Sequence, residues 1–326
     1  MRLTAVCVLA LSAALGRAAA AQPAEPKPSA VAPSVWLIPG GVKPDREPDG
    51  NTVVFVGRKG LVVVDTGRHA WHTQAILDFA AARRAPILAV VNSHWHLDHT
   101  SGNAPLRRAY PGLKVYASDA IEEALTGFLA RGAAESKDYL AKGHPPETLA
   151  EDIRQDLATT AAAAQLRPDV VVRRSAMIRL GGRNLDVRQA NGATRGDVWL
   201  FDPKAKVAAV GDLVTLPTPF LDTACPRGWL AALGEIEATP FQVLVPGHGP
   251  AMTRTEFAAW RGAFSALLDC AATAAAKADC AQAWAAAVDP FIAPADSFNR
   301  RRAQIWTEGY VELLRSPAPG LSANCR

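Results

Sequence analysis

The apolar positions of this chain fall mostly into runs of four or five residues bounded by turn formers, with a few longer stretches at helical spacing. Val35–Ile38 reads as a strand that stops at Pro39-Gly40-Gly41. Thr52–Val56 and Leu61–Val64 are β-branched runs joined by Gly57-Arg58-Lys59-Gly60, the pattern of a hairpin. Residues 70–84 place Trp71, Ile76, Leu77 and Phe79 at helical spacing, and Ile87–Val91 is an apolar run short enough for a buried strand. Lys114–Ala117 predicts a further strand and 120–130 a helix. Residues 131–166 are polar, Ala-rich and helical in character, and read as an inserted cap or lid.

A second batch of strands follows at Ala176–Leu180, 185–188, 198–201 and 207–210, each bounded by Gly, Asn, Asp or Pro. A helix over 227–237 leads to the run 242–245, which ends at Pro246, and from Glu256 onward the pattern is helical. Two batches of strands with helices between them predict an α+β fold: two sheets face to face, covered outside by helices. No fixed sequence period points to a repeat architecture.

The N-terminus is read separately. Met1-Arg2, an apolar run over 3–16 and then Ala19-Ala20-Ala21 form the pattern of a cleaved signal peptide over 1–21. The Ala- and Pro-rich segment 22–33 reads as a linker. The main domain is then expected over 34–255, with the helical insert at 131–166 and a helical extension over 256–326. Loss of Cys7 with the signal peptide leaves Cys225, Cys270, Cys280 and Cys325, an even set suited to a periplasmic or secreted protein. Three pairings are open. Cys270 with Cys280 would clip two C-terminal helices together and leave Cys225 with Cys325. No C-x-x-C spacing occurs, which argues against a zinc ribbon.

Charge narrows the partners. Thirty-five basic and 31 acidic residues give a net charge of +4 with no dense basic block, so no nucleic-acid partner is implied. No later stretch has the roughly eighteen consecutive apolar residues of a membrane span, so none is expected in the mature chain. A small-molecule substrate is the expected partner, and the sequence sets no oligomeric state.

Candidate chemistry is concentrated after the 87–91 run, where the chain reads Ser93-His94-Trp95-His96-Leu97-Asp98-His99-Thr100. Alternating His94 and His96 would point the same way from an extended segment, and Asp98 and His99 follow where the chain turns. Imidazole and carboxylate at this density are the natural ligands of zinc and related divalent ions. This H-x-H-x-D-H segment resembles the signature of the metallo-β-lactamase superfamily. Three further segments match in the family's order: Val63-Val64-Asp65-Thr66-Gly67, Val210-Gly211-Asp212 and Pro246-Gly247-His248-Gly249.

The resemblance implies a four-layer αβ/βα sandwich with metal at one edge between the sheets. Carried over residue by residue, His94 and His96 would serve a first metal, Asp98, His99 and His248 a second, and Asp212 would bridge them. Asp65 would brace the loop through hydrogen bonds. Zinc is the expected ion, one or two per chain, with iron or manganese as alternatives. The implied reaction is attack of a metal-held hydroxide on an ester, thioester or lactam, oriented by Asp98, the catalytic residue.

One position departs from the family's pattern. The turn Gly192-Ala193-Thr194-Arg195-Gly196-Asp197 carries Ala193 where the family has a third histidine for the first metal. A methyl group cannot bind a metal, so water, substrate or His144 from the insert would have to complete that site. His69 and His72 match no motif and are expected at the surface. The features together resemble exported zinc metallohydrolases associated with quinoprotein dehydrogenase systems. Two other functions fit the chain as alternatives: a non-catalytic accessory metal-binding protein of a periplasmic redox system, and a sulfur-oxidising enzyme with one iron. The latter conflicts with Ala193, because those relatives bind iron through the missing histidine.

Overall fold

The computed structural model describes residues 26–316. The signal peptide over 1–21 and Cys325, with its pairing to Cys225, lie outside the described residues. The first sheet contains β1 (Ser29–Ala32), β2 (Val35–Ile38), β3 (Thr52–Val56), β4 (Leu61–Val64), β5 (Ile87–Val91), β6 (Lys114–Ala117) and β7 (Val170–Val171), side by side in that order. Pairing is antiparallel up to β4 and parallel from β4 to β7. Between these strands run α1 (Ala70–Ala82), α2 (Leu97–Thr100), α3 (Asn103–Ala109), α4 (Ala120–Thr126), α5 (Phe128–Lys142) and α6 (Glu147–Ala161).

The second sheet has the order β12-β11-β10-β9-β8, built from β8 (Ala176–Leu180), β9 (Arg183–Asn191), β10 (Arg195–Asp202), β11 (Val207–Ala209) and β12 (Val243–Val245). Helix α7 (Pro226–Ala238) joins β11 to β12, which run parallel, and α8 (Arg254–Ala271), α9 (Lys277–Val288) and α10 (Ser297–Arg315) close the described chain.

Strand alternation explains the layering. Val53, Phe55, Val62 and Val64 of the first sheet share one buried core with Val198, Leu200, Val207 and Ala209 of the second. The intervening residues Val54, Leu61 and Val63 turn outward, against Ile76 and Phe79 of α1. On the second sheet Trp199, Phe201 and Ala208 turn outward beneath α7 to α10, where Trp229, Trp260, Phe264 and Trp284 are buried. Each of these strands is therefore apolar on both faces, as buried strands in a four-layer sandwich must be. The expected αβ/βα architecture is present.

Two sequence expectations change in detail, and two elements were not foreseen. The segment read as a linker, 22–33, contains β1, which pairs antiparallel with β2. The helix expected over 120–130 is two helices, because the chain breaks at Gly127 between α4 and α5. Helix α3 and the two-residue β7 carry too little periodicity to have been read from the sequence.

Cys270 at the end of α8 and Cys280 in α9 form a disulfide with a Cα–Cα distance of 5.7 Å. No helix among the described residues is long and apolar enough to cross a membrane.

Candidate metal centre

Four strand ends supply the site. β4 and β5 run parallel, as do β11 and β12, so the residues just past their C-terminal ends meet at one edge of the sandwich. Asp65 follows β4, His94 follows β5, Asp212 follows β11 and His248 follows β12. Asp98 and His99 lie in the single turn α2. Two glycines allow close approach: a Cβ at Gly50 would overlap the His99 ring, and one at Gly247 would overlap Asp212 Oδ1.

Hydrogen bonds orient two of the imidazoles, His99 and His94. Asp65, at a positive φ of 60°, accepts from Ser93 N at 2.7 Å, Ser93 Oγ at 2.6 Å and His99 Nδ1 at 2.8 Å. His99 therefore turns an Nε2 lone pair toward the site. Because the Ser93 hydroxyl hydrogen goes to Asp65, His94 Nδ1 donates to Ser93 Oγ at 2.9 Å and His94 Nε2 is likewise unprotonated. Asp65 thus has the bracing position expected of it.

The candidate ligand atoms converge. His248 Nε2 lies 3.0 Å from Asp98 Oδ2 and 3.3 Å from His99 Nε2, and His99 Nε2 lies 3.5 Å from Asp98 Oδ2. Ligands about 2.0–2.1 Å from a tetrahedral zinc stand about 3.3–3.4 Å apart, so this triangle has the right size. Asp212 Oδ1 lies 3.3 Å from His99 Nε2 and 3.6 Å from His248 Nε2, and Asp212 Oδ2 lies 3.9 Å from His94 Nε2. Two groups can hold an ion: Asp98, His99 and His248, and His94, His99 and Asp212. His94 Nε2 and Asp212 Oδ1 are buried without a hydrogen-bond partner, the condition expected of atoms waiting for a cation. The nitrogen and carboxylate donor set suits zinc, and also manganese or iron.

The electrostatics agree. Burial alone would push the His99 imidazole down, but Asp98, Asp212 and Asp65 outweigh it and hold His99 well above the usual value. Burial pushes His94 well below that value, helped by His99 and His96, and holds His96 at about 4. Asp98 and Asp212 stay ionised despite burial because histidines surround them. Negative charge is concentrated around His99, whereas His94 and His96 are held neutral by burial.

Five of the six expected ligands share these two groups, and His96 stands apart. Its Nε2 lies 3.0 Å from Thr223 Oγ1, whose hydroxyl donates to the Ala193 carbonyl at 3.0 Å. Ala193 itself is buried in the apolar cluster with Leu213 and Trp229. The surrounding turn is intact: Asp197 accepts from Gly192 N, Thr194 N and Thr194 Oγ1. His144 does not complete the site; it is exposed in the α5–α6 connection, with Nδ1 3.0 Å from the Lys142 carbonyl.

The expectation that His69 and His72 lie at the surface is overturned, because both are buried. His69 Nδ1 lies 2.7 Å from Asp49 Oδ2, and its Nε2 lies 3.2 Å from Asp152 Oδ2 of the insert. His72 donates to Thr52 Oγ1 at 2.8 Å, since that hydroxyl donates to the Asp65 carbonyl. Arg68, next to the Asp65 motif, pairs with Asp156 of α6 and lies 3.9 Å from Asp98. These contacts fasten the insert over the metal loop. Asp49, 20 residues before His69, also accepts from Arg68 N and His69 N, and neither it, Asp152 nor Asp156 carried a signal in the sequence.

Asp98, Asp212 and His248 open onto a cavity of about 290 Å³ beneath α5, α6 and α10. Phe128, Leu129, Leu157 and Phe220 make much of its wall apolar.

Comparison with known proteins agrees with this geometry. The family model described as the metallo-beta-lactamase superfamily matches residues 46–248. An atrochrysone carboxyl ACP thioesterase of Aspergillus fumigatus is 31% identical over 103 residues, covering 31% of this chain and 32% of that protein. One from Passalora fulva is 40% identical over 62 residues, 19% of each chain. The matched stretches thus span a third or less of either relative. A solved metallo-beta-lactamase from Pontibacter korlensis is similar with a TM-score of 0.52 at 20% identity, covering 72% of this chain and 96% of that one. The stereoselective inverting sec-alkylsulfatase Pisa1 of a Pseudomonas species has a TM-score of 0.61 at 18% identity, covering 92% and 52%. With its motifs at four strand ends and the family model spanning them, this chain belongs to the metallo-beta-lactamase superfamily.

Proposed function

We propose that the protein is an exported, metal-dependent hydrolase that cleaves an ester, thioester or lactam. The observation that carries this reading is the convergence of Asp98, His99, His248 and Asp212, with buried unpartnered ligand atoms, on the floor of an apolar cavity. The partial matches to acyl-carrier thioesterases support an acyl substrate.

Asp98, His99 and His248 would hold the principal ion, with Asp212 beside them. A bound divalent ion supplies Lewis acidity, polarising a carbonyl and acidifying water. The chain's own groups do the rest. Asp98 is an ionised acceptor at the cavity floor, placed to orient an attacking water through a hydrogen bond. Asp65 holds the His99 ring so that its lone pair faces inward. Phe128, Leu129 and Phe220 exclude bulk water, which strengthens every charge interaction within. His94 and Asp212 form the depleted neighbouring site.

Metal analysis of protein purified without added metal, together with assays on chromogenic esters, thioesters, lactones and cephalosporins, tests the reading. Bound zinc, with hydrolysis abolished by chelator and restored by zinc, supports it. A single bound iron, or a panel left inert even with added zinc and manganese, overturns it.

A further inference from the structure

The cavity holds two arginines in different surroundings. Arg68 is matched: it pairs with Asp156, lies 3.7 Å from Glu47 and 3.9 Å from Asp98. Arg302 of α10 is not. Among the described residues no hydrogen bond or ion pair joins its guanidinium to another group, and its close partner is the Trp306 indole, 3.4 Å from Cζ to the ring centroid. The acidic groups lining the cavity are engaged elsewhere. Asp156 and Glu47 face Arg68, Asp98 is 3.0 Å from His248, and Asp212 is 3.3 Å from His99.

A half-buried guanidinium with no counterion is unfavourable, and burial draws Arg302 down to about 10 against the pull of Glu47, Tyr310 and Asp98. Its face lies on an indole, so its N–H edge is left for a planar oxyanion, the partner a guanidinium binds best. Arg302, Trp306 and Tyr310 recur at four-residue spacing on one side of α10 and all line the cavity. Helix α10 lies beyond the matched segment 46–248. This cation is therefore contributed to the site by the C-terminal helices.

We infer that Arg302 is a specificity-determining residue that binds a carboxylate carried by the substrate. The apolar body of the substrate would lie along Phe128, Leu157 and Phe220, and its acyl carbonyl would reach the Asp98–His99–His248 centre. The inference rests on the hydrolase reading for the identity of the reacting group, not for the anion contact itself.

Two measurements separate the two claims. The first compares kcat/KM for the p-nitrophenyl ester of hexanoic acid and the p-nitrophenyl monoester of adipic acid. Arg302→Ala should lower the anionic-to-neutral ratio about 10–100-fold, mainly through KM, and Arg302→Lys should recover part of it. The second is calorimetric titration of the metal-replete protein with 6-phenylhexanoate and its amide. Arg302→Ala should weaken the carboxylate about 10–100-fold relative to the amide. Failure of the wild type to hydrolyse either ester or any member of the wider thioester, lactone and cephalosporin panel, with carboxylate binding still dependent on Arg302, would uphold the subsite and sink the hydrolase reading. Unchanged ratios in both measurements would overturn the subsite.

Discussion

Thr223 holds His96 away from the metal ligands' common centre: its hydroxyl donates to the Ala193 carbonyl and stands 3.0 Å from His96 Nε2. The hydroxyl hydrogen is committed to Ala193, so His96 donates through Nε2 and keeps only Nδ1 as a ligand atom. The position that lacks a histidine and the histidine that stands apart are thus joined through one side chain.

Restoring the missing ligand should therefore have a measurable effect. Ala193→His should tighten zinc binding at the His94 site by at least about 10–100-fold, since even outer-shell changes are worth that much. Ala193 is buried, so the larger ring should also cost about 1–3 kcal/mol of stability from overpacking. Calorimetric titration of the apo-protein with zinc, beside a thermal melt, reads both. An affinity at the His94 site equal to wild type would show that the turn does not aim at the metal.

The sheets and motifs were legible because their signals are local. Runs such as Val62-Val63-Val64 end in the motif residues themselves, and His94 to His99 lie within six positions. What was not legible depends on distance along the chain. His69 reads as a surface histidine because Asp152 is 83 residues away, and nothing near Arg302 connects α10 to a cavity closed by α5 and α6. The separation of His96 from the other ligands required Thr223, 127 residues onward. Ala193 was readable as a gap, but not as a residue already built into an apolar cluster.

The His69 network predicts a pH dependence. Burial would lower the His69 pKa, but Asp152 and Asp49 outweigh it and raise it above 6.5; Asp49 is held down to about 2 by His69 despite burial. The histidine's contribution to stability is fully present below 6.5 and fades as pH rises through its raised folded value. That of Asp49 is present above 3.8 and fades as pH falls toward 2. His69→Gln should lower the stability plateau by on the order of 3 kcal/mol, as for one partner removed from a buried pair, and should flatten the alkaline decline. Melting temperatures from pH 5 to pH 9 check this. Parallel curves for wild type and variant would mean His69 does not titrate with folding.

Export predicts a mature chain beginning at Gln22 with two disulfides, of which Cys270–Cys280 joins α8 to α9. Closing a segment with a sequence separation of 10 should contribute about 2.5–3 kcal/mol. Intact mass before and after reduction, peptide mapping and the melt of Cys270→Ser/Cys280→Ser provide the test. Free thiols at both positions in exported protein would contradict the pairing.

The central claim is that Asp98 both holds the ion and orients the attacking water. Asp98→Asn keeps the size of the side chain and removes its charge, and the most direct test is kcat/KM of metal-replete wild type and variant for a chromogenic thioester. A loss on the order of 10²–10³-fold is predicted, the scale of a charge-stabilising group removed from a water-excluded site, with the melting temperature of the fold retained. Equal rates in the two proteins would place the chemistry outside this centre.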